Sequence, residues 1–156
     1  MIKITKITVD DVRFPTSEDS TGSDAIHSDP DYSAAYVTIY TSDDNLRGYG
    51  MAFTLGKGND IVAACVKHFF PLLIGLSVDD IEKNIGKLWY DCVDHSQLRW
   101  LGPEKGVVHM ATSAIFNALW DLIAKKSNKP LWKYIVDQDP DPVSYTHLTL
   151  PTNREV

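Results

Sequence analysis

The chain has 156 residues, enough for one domain with its own core; 44% are apolar, 23% charged, and the net charge is −6. That balance fits a soluble globular fold and leaves no basic stripe to neutralise phosphates, so neither a nucleic acid nor an anionic membrane is an expected partner. The apolar stretch at 61–74 is interrupted by Lys67, His68 and Pro71 and cannot span a bilayer. Met1-Ile2-Lys3-Ile4 lacks the apolar region of an export signal, so Cys65 and Cys92 are expected as buried thiols in a cytoplasmic protein.

Ile2, Ile4, Ile7 and Val9 make a broken period-two pattern that predicts a first strand, continued by Val12 and Phe14 and stopped by Pro15. Residues 16–31 hold Ser, Thr, Gly, Asp and Pro, with only Ala25 and Ile26 apolar. A loop of about sixteen residues inside a domain is usually functional or disordered, and composition alone reads it as a surface excursion. Ala34 to Tyr40 is β-branched and aromatic and predicts a second strand; Ser42-Asp43-Asp44-Asn45 is turn chemistry. Leu46 to Phe53 resumes an extended pattern in which Gly48 and Gly50 point to a bulge or a close backbone approach.

Helices follow. Asn59 is a plausible N-cap, after which Ile61, Ala64, Cys65, His68 and Phe69 share one face, ended by Pro71 and Gly75. Ser77 with Asp80 resembles a capping box, opening a helix with a stripe of Val78, Ile81, Ile85, Leu88 and Trp89. After an irregular stretch at 91–104, Val108, Ala111, Ile115, Ala118, Leu119 and Leu122 mark the longest helix, from Gly106 to about Lys126. Leu131 to Ile135 makes a last short turn or helix. Strands first and helices after predict an α+β fold: a three-stranded antiparallel meander followed by a helical bundle. Residues 142–156 continue no pattern and look like adapter read-through or an exposed terminus, so the domain is placed at 1–140 and 141–156 is set aside as a tail.

Local motifs name no chemistry. Gly56-Lys57-Gly58 lacks P-loop spacing, and the histidines at 27, 68, 95, 109 and 147 share no metal-ligand spacing with a Cys or carboxylate. His68 reads as a core histidine. No nucleophile motif is present, and Asp43-Asp44, Asp79-Asp80 and Asp137/Asp139/Asp141 sit at turns and helix starts.

A family resemblance adds what spacing does not. The stretch Ala114-Ile115-Phe116-Asn117-Ala118-Leu119-Trp120-Asp121-Leu122-Ile123-Ala124-Lys125 with Lys129-Pro130 resembles the last lid-domain helix of the mandelate racemase/muconate lactonizing branch of the enolase superfamily. Within that branch Asp11-Val12-Arg13-Phe14-Pro15-Thr16, the segments 22–25, 29–37 and 50–59, and Gln97 to His109 are similar to the start of L-fuconate dehydratases. The resemblance covers about residues 1–140 and implies a lid whose catalytic TIM-like barrel, on the order of 200 residues, is not in this chain. It implies Mg held by barrel carboxylates, a sugar-acid substrate losing its 3-hydroxyl to give a 2-keto-3-deoxy acid, and a homo-oligomer at full length. No catalytic residue or metal ligand maps onto this sequence, and the chain alone is expected to be inactive. Two lid loops do map, at 16–31 and 53–59. They offer Ser23, Asp24 and Thr54 as polar candidates for substrate hydroxyls and Phe53 as an apolar wall. The alternatives are the lid of another acid-sugar dehydratase or racemase of the branch, or a free-standing α+β interaction module.

Overall fold

The computed structural model describes residues 1–102, 104 and 106–139; the expected tail at 141–156 lies outside them. Three strands, β1 (Ile4–Arg13), β2 (Ser33–Thr41) and β3 (Arg47–Thr54), form an antiparallel sheet in the order β1-β2-β3. Six helices follow: α1 (Asn59–His68), α2 (Phe70–Leu73), α3 (Val78–Lys83), α4 (Ile85–Val93), α5 (Val107–Lys126) and α6 (Leu131–Val136). This is the expected α+β meander followed by helices.

The broken alternation at the N-terminus has a physical cause. The β1/β2 register shifts between Ile4 and Lys6, so Thr5 is an extra residue and the inward parity changes. Ile4 and Ile7, three apart, are therefore both buried. On the inner face of the sheet Ile7, Ala35, Val37, Ile39 and Ala52 share one core with α5, whose Ala111, Ala114, Ile115, Ala118, Leu119 and Leu122 are fully buried. By length and composition α5 would suit a membrane, but most of its apolar residues are buried in this core.

Gly48 and Gly50 mark a close approach, not a bulge, because the β2/β3 register runs unbroken from Ser33↔Thr54 to Tyr40↔Arg47. A Cβ on Gly48 would stand 2.2 Å from the Ala118 carbonyl oxygen, and one on Gly50 would stand 2.3 Å from that of Ala114. The helix lies almost on the strand.

That closeness lets three polar side chains of α5 reach the free edge of β3. Lys125 donates to the Arg47 carbonyl (3.2 Å), Asp121 accepts from the Tyr49 amide (2.9 Å), and Asn117 donates to the Met51 carbonyl (3.3 Å). Four helical residues rise about 6 Å and two strand residues about 6.7 Å, so the two spacings stay matched over three steps. Asp121 therefore bonds within the domain.

Three sequence expectations need correction. The buried stripe of α1 is Val62, Ala63, Cys65, Val66 and Phe69; Ile61, Ala64 and His68 face solvent. Two overlapping helical registers carry apolar residues there, and the one holding both valines wins the core. His68 is thus no core histidine. Asn59 is the first helical residue rather than the cap, which is Gly58 with φ +87°. The stripe from Val78 to Trp89 is split into α3 and α4 at Asn84. Its start is as expected: the Ser77 hydroxyl accepts from the Asp80 amide (3.1 Å) and donates to the Asp80 carboxylate (2.6 Å). Lys126 joins α5 to Asp79 and Glu82 of α3, and the Tyr134 hydroxyl donates to Glu82 (2.5 Å), tying in α6. Cys65 and Cys92 are free, buried thiols, and burial pushes Cys92 up to about 12.

Candidate functional site

An antiparallel meander sends the end of β1, the start of β2 and the end of β3 to the same edge of the domain. The first loop (16–31) and the second (53–59) therefore emerge side by side, and all four candidate residues belong to them.

The first loop is closed at its neck. The Thr16 hydroxyl donates to the Pro30 carbonyl (2.8 Å) and accepts from the Tyr32 amide (2.9 Å). The Asp31 carboxylate accepts from both the amide (3.1 Å) and the hydroxyl (2.6 Å) of Ser17. Those two bonds hold the Asp31 carboxyl below the usual carboxylate range. Further out, the Ser23 hydroxyl donates to the Ser28 carbonyl (2.7 Å). Asp24 accepts from the amides of His27 (2.7 Å) and Ile26 (2.8 Å), which lower its pKa, with the His27 ring at 3.2 Å. Asp24 is exposed and ionised, and a carboxylate's four acceptor positions leave room for a ligand hydroxyl.

The second loop leaves β3 through Phe53, which is 51% exposed and meets the Tyr32 ring edge-on at 5.3 Å. Phe53, Val12, Phe14, Tyr32, Tyr36 and Met51 line an open apolar groove of about 510 Å³ on the outer face of the sheet. The Thr54 hydroxyl points inward and donates to Asn59 Oδ1 (2.8 Å). The Asn59 side chain is buried and donates through Nδ2 to Asp11 Oδ1 (2.5 Å), while Arg13 grips the same Asp11 through two bonds of 2.8 Å. The Arg13 guanidinium, then the Asn59 amide, pull the Asp11 carboxyl down.

The four candidates thus fall into two kinds. Asp24 and Phe53 present themselves to solvent at the loop end, while Ser23 and Thr54 spend their hydroxyl protons on loop structure and keep acceptor capacity alone. Asp11, Arg13, Asn59 and Asp31 were not among the site residues expected from the sequence. The Asp11-x-Arg13 spacing, which puts opposite charges on one face of a strand, was the available signal.

Comparison with known proteins agrees with this architecture. Residues 19–136 match the N-terminal domain of the mandelate racemase/muconate lactonizing enzyme family. The chain belongs to that family. It is 53% identical over 139 residues to mitochondrial enolase superfamily member 1 of Xenopus laevis, covering 88% of this chain and 31% of that protein. It is 49% identical over 140 residues to the L-galactonate dehydratase of Hypocrea jecorina, covering 90% of this chain and 31% of that protein. The crystal structure of human mitochondrial enolase superfamily member 1 superposes with a TM-score of 0.87 at 46% identity, over 92% of this chain and 33% of that one. The chain therefore spans about a third of the length of the relatives it matches. Among the described residues no group of three or more His, Cys, Asp or Glu is placed to hold a metal ion. The magnesium implied by the resemblance has no ligand set among them.

Proposed function

We propose that this domain caps the active site of an acid-sugar dehydratase and that the substrate is an aldonic acid of L-galacto configuration. The observation that carries the reading is the placement of the loops: two polar-tipped segments leave one end of a rigid sheet together, with an exposed carboxylate on one and an exposed aromatic ring on the other. Such a pair excludes water and reads hydroxyls.

The substrate class rests on two independent hints. The sequence resembles L-fuconate dehydratases, and a relative 49% identical is named an L-galactonate dehydratase. L-Fuconate is 6-deoxy-L-galactonate, so the two acids share every stereocentre and differ at one terminal hydroxyl. Dehydration of either removes the C2 proton and the 3-hydroxyl and gives a 2-keto-3-deoxy acid and water. In this reading the base and metal ligands lie in a barrel outside the chain, Asp24 accepts from substrate hydroxyls, and Phe53 walls the opposite side. Ser23 and Thr54 contribute acceptor oxygens.

The test is turnover of both acids by the longer protein that carries this domain, beside the 156-residue chain alone. The expected result is dehydration by the former and none by the latter. Asp24→Ala and Phe53→Ala should each raise KM about tenfold or change the preference between the two acids, as loss of a charged hydrogen bond or an apolar wall does. Turnover by the isolated chain, or failure of the longer protein on both acids, rejects the reading.

A further inference from the structure

We infer that the two loops move as one body, and that Asp31 and Asn59 are the positioning residues that join them. Each residue bonds to both loops or to their roots. The carboxylate of Asp31 holds the first turn of the first loop through Ser17, while its backbone amide donates to the Leu55 carbonyl of the second (3.2 Å). Gly56 seats directly on it: φ is +112°, and a Cβ there would stand 2.9 Å from the Asp31 Cβ and 3.1 Å from its carbonyl oxygen. The Tyr32–Phe53 ring contact lies beside this joint.

The second joint is buried. Asn59 uses both ends of one amide, accepting from Thr54 at the exit of β3 and donating to Asp11 near the exit of β1. Arg13 extends the tie by bonding both Asp11 and Asp60, the latter at 3.3 Å. An amide with no exposure that loses either partner is left with a desolvated donor or acceptor, so the two bonds stand or fall together. With joints at both roots, neither loop can swing without straining the other. A ligand that orders one therefore orders its neighbour, and selectivity becomes a property of the pair. The coupling is a property of this chain; its meaning for substrate choice rests on the capping function proposed above.

Hydrogen exchange on the 156-residue chain tests the coupling without substrate or barrel, so this inference and the capping reading can fail separately. Thr54→Val removes one hydroxyl from the second loop and keeps its shape. The expected result is exchange about fivefold faster or more, the worth of a typical net hydrogen bond, at the amides of Ser17 and Thr21 in the first loop and of Tyr32 at its neck. Thr54→Ser should restore the original rates, and amides in 107–126 should not change. Asn59→Ala and Gly56→Ala should have larger effects of the same pattern. Should Asn59→Ala also speed exchange throughout 107–126, the fold itself has loosened and the Thr54 pair decides. Acceleration confined to residues 53–59 in Thr54→Val overturns the inference.

Discussion

At the scale of single residues, the carboxylates at the loop roots set a pH dependence. Asp11 and Asp31 both have pKa values lowered from 3.8, by Arg13 and by Ser17 respectively. A lowered folded pKa means that the unfolded chain binds protons first, so the stabilisation is complete above about pH 4–5 and is lost as the pH falls through the lowered values. Loop-amide exchange should therefore be insensitive to these groups between pH 5 and 7 once intrinsic rates are removed. It should rise below about pH 4, and Asp31→Asn should abolish much of that acid response. Gly50 makes a steric demand instead. Its replacement by Ala drives a methyl into the Ala114 carbonyl, and urea unfolding should show a loss of about 2 kcal/mol or more. That position was legible as a bulge or a close approach because glycine weakens a strand, and the unbroken register decides for the approach. Asn59 was harder. An Asn at a helix start reads as a cap, and nothing local announces that its amide turns back to a strand 48 residues earlier.

At the scale of elements, α5 substitutes for a missing strand. An exposed strand edge invites pairing with another chain, and here Asn117, Asp121 and Lys125 occupy β3's hydrogen-bonding groups at 47, 49 and 51. Asp121→Ala should free the Tyr49 amide, speeding its exchange about fivefold. In the same variant the Lys125 ammonium, which also lies 4.4 Å from the centre of the Tyr49 ring, loses its carboxylate partner. Asp121→Asn, which keeps an acceptor, should retain most of the protection; equal loss in both variants would show that charge, not the bond, matters. The buried face of α5 was readable in part: Val108, Ala111, Ile115, Ala118, Leu119 and Leu122 repeat at three and four, whereas Ala114, Phe116, Ile123 and Ala124, also buried, lie outside that stripe. In α1 the ten residues hold valines, alanines and isoleucine on several faces, and only tertiary contact selects Val62 and Val66 over Ile61 and Ala64. The break between α3 and α4 at Asn84 was equally invisible, since Val78, Ile81, Ile85 and Leu88 keep helical spacing across it.

At the scale of the molecule, one side is apolar and unclothed. Phe14, Tyr36, Tyr49, Met51 and Phe53 stand on the outer sheet face or beside it, and Leu131 adjoins them across a second depression shared with Tyr36, Tyr49 and Met51. Farther along α6, Trp132 is 68% and Val136 72% exposed. Single exposed apolar residues are ordinary; a continuous run of them is a binding surface or an aggregation risk. The isolated 156-residue chain should therefore self-associate at tens of micromolar, roughly, in light scattering coupled to gel filtration. Tyr36→Lys with Met51→Lys should return it to a monomer. A monodisperse wild-type monomer would count against this face being a binding surface. The α+β class and the strand order followed from the order of patterns along the chain. The unclothed face did not, because alternation in a strand says which side is more apolar and not whether the other side is wet.

The seating of Gly56 on Asp31 bears on how such domains can be recombined. A chimera that borrows residues 16–31 from one relative and keeps 53–59 from another cuts between two surfaces fitted to each other within van der Waals contact. Shuffling for new selectivity succeeds only when both segments are transplanted from the same parent, or when crossovers keep an unbranched, side-chain-free residue opposite the aspartate.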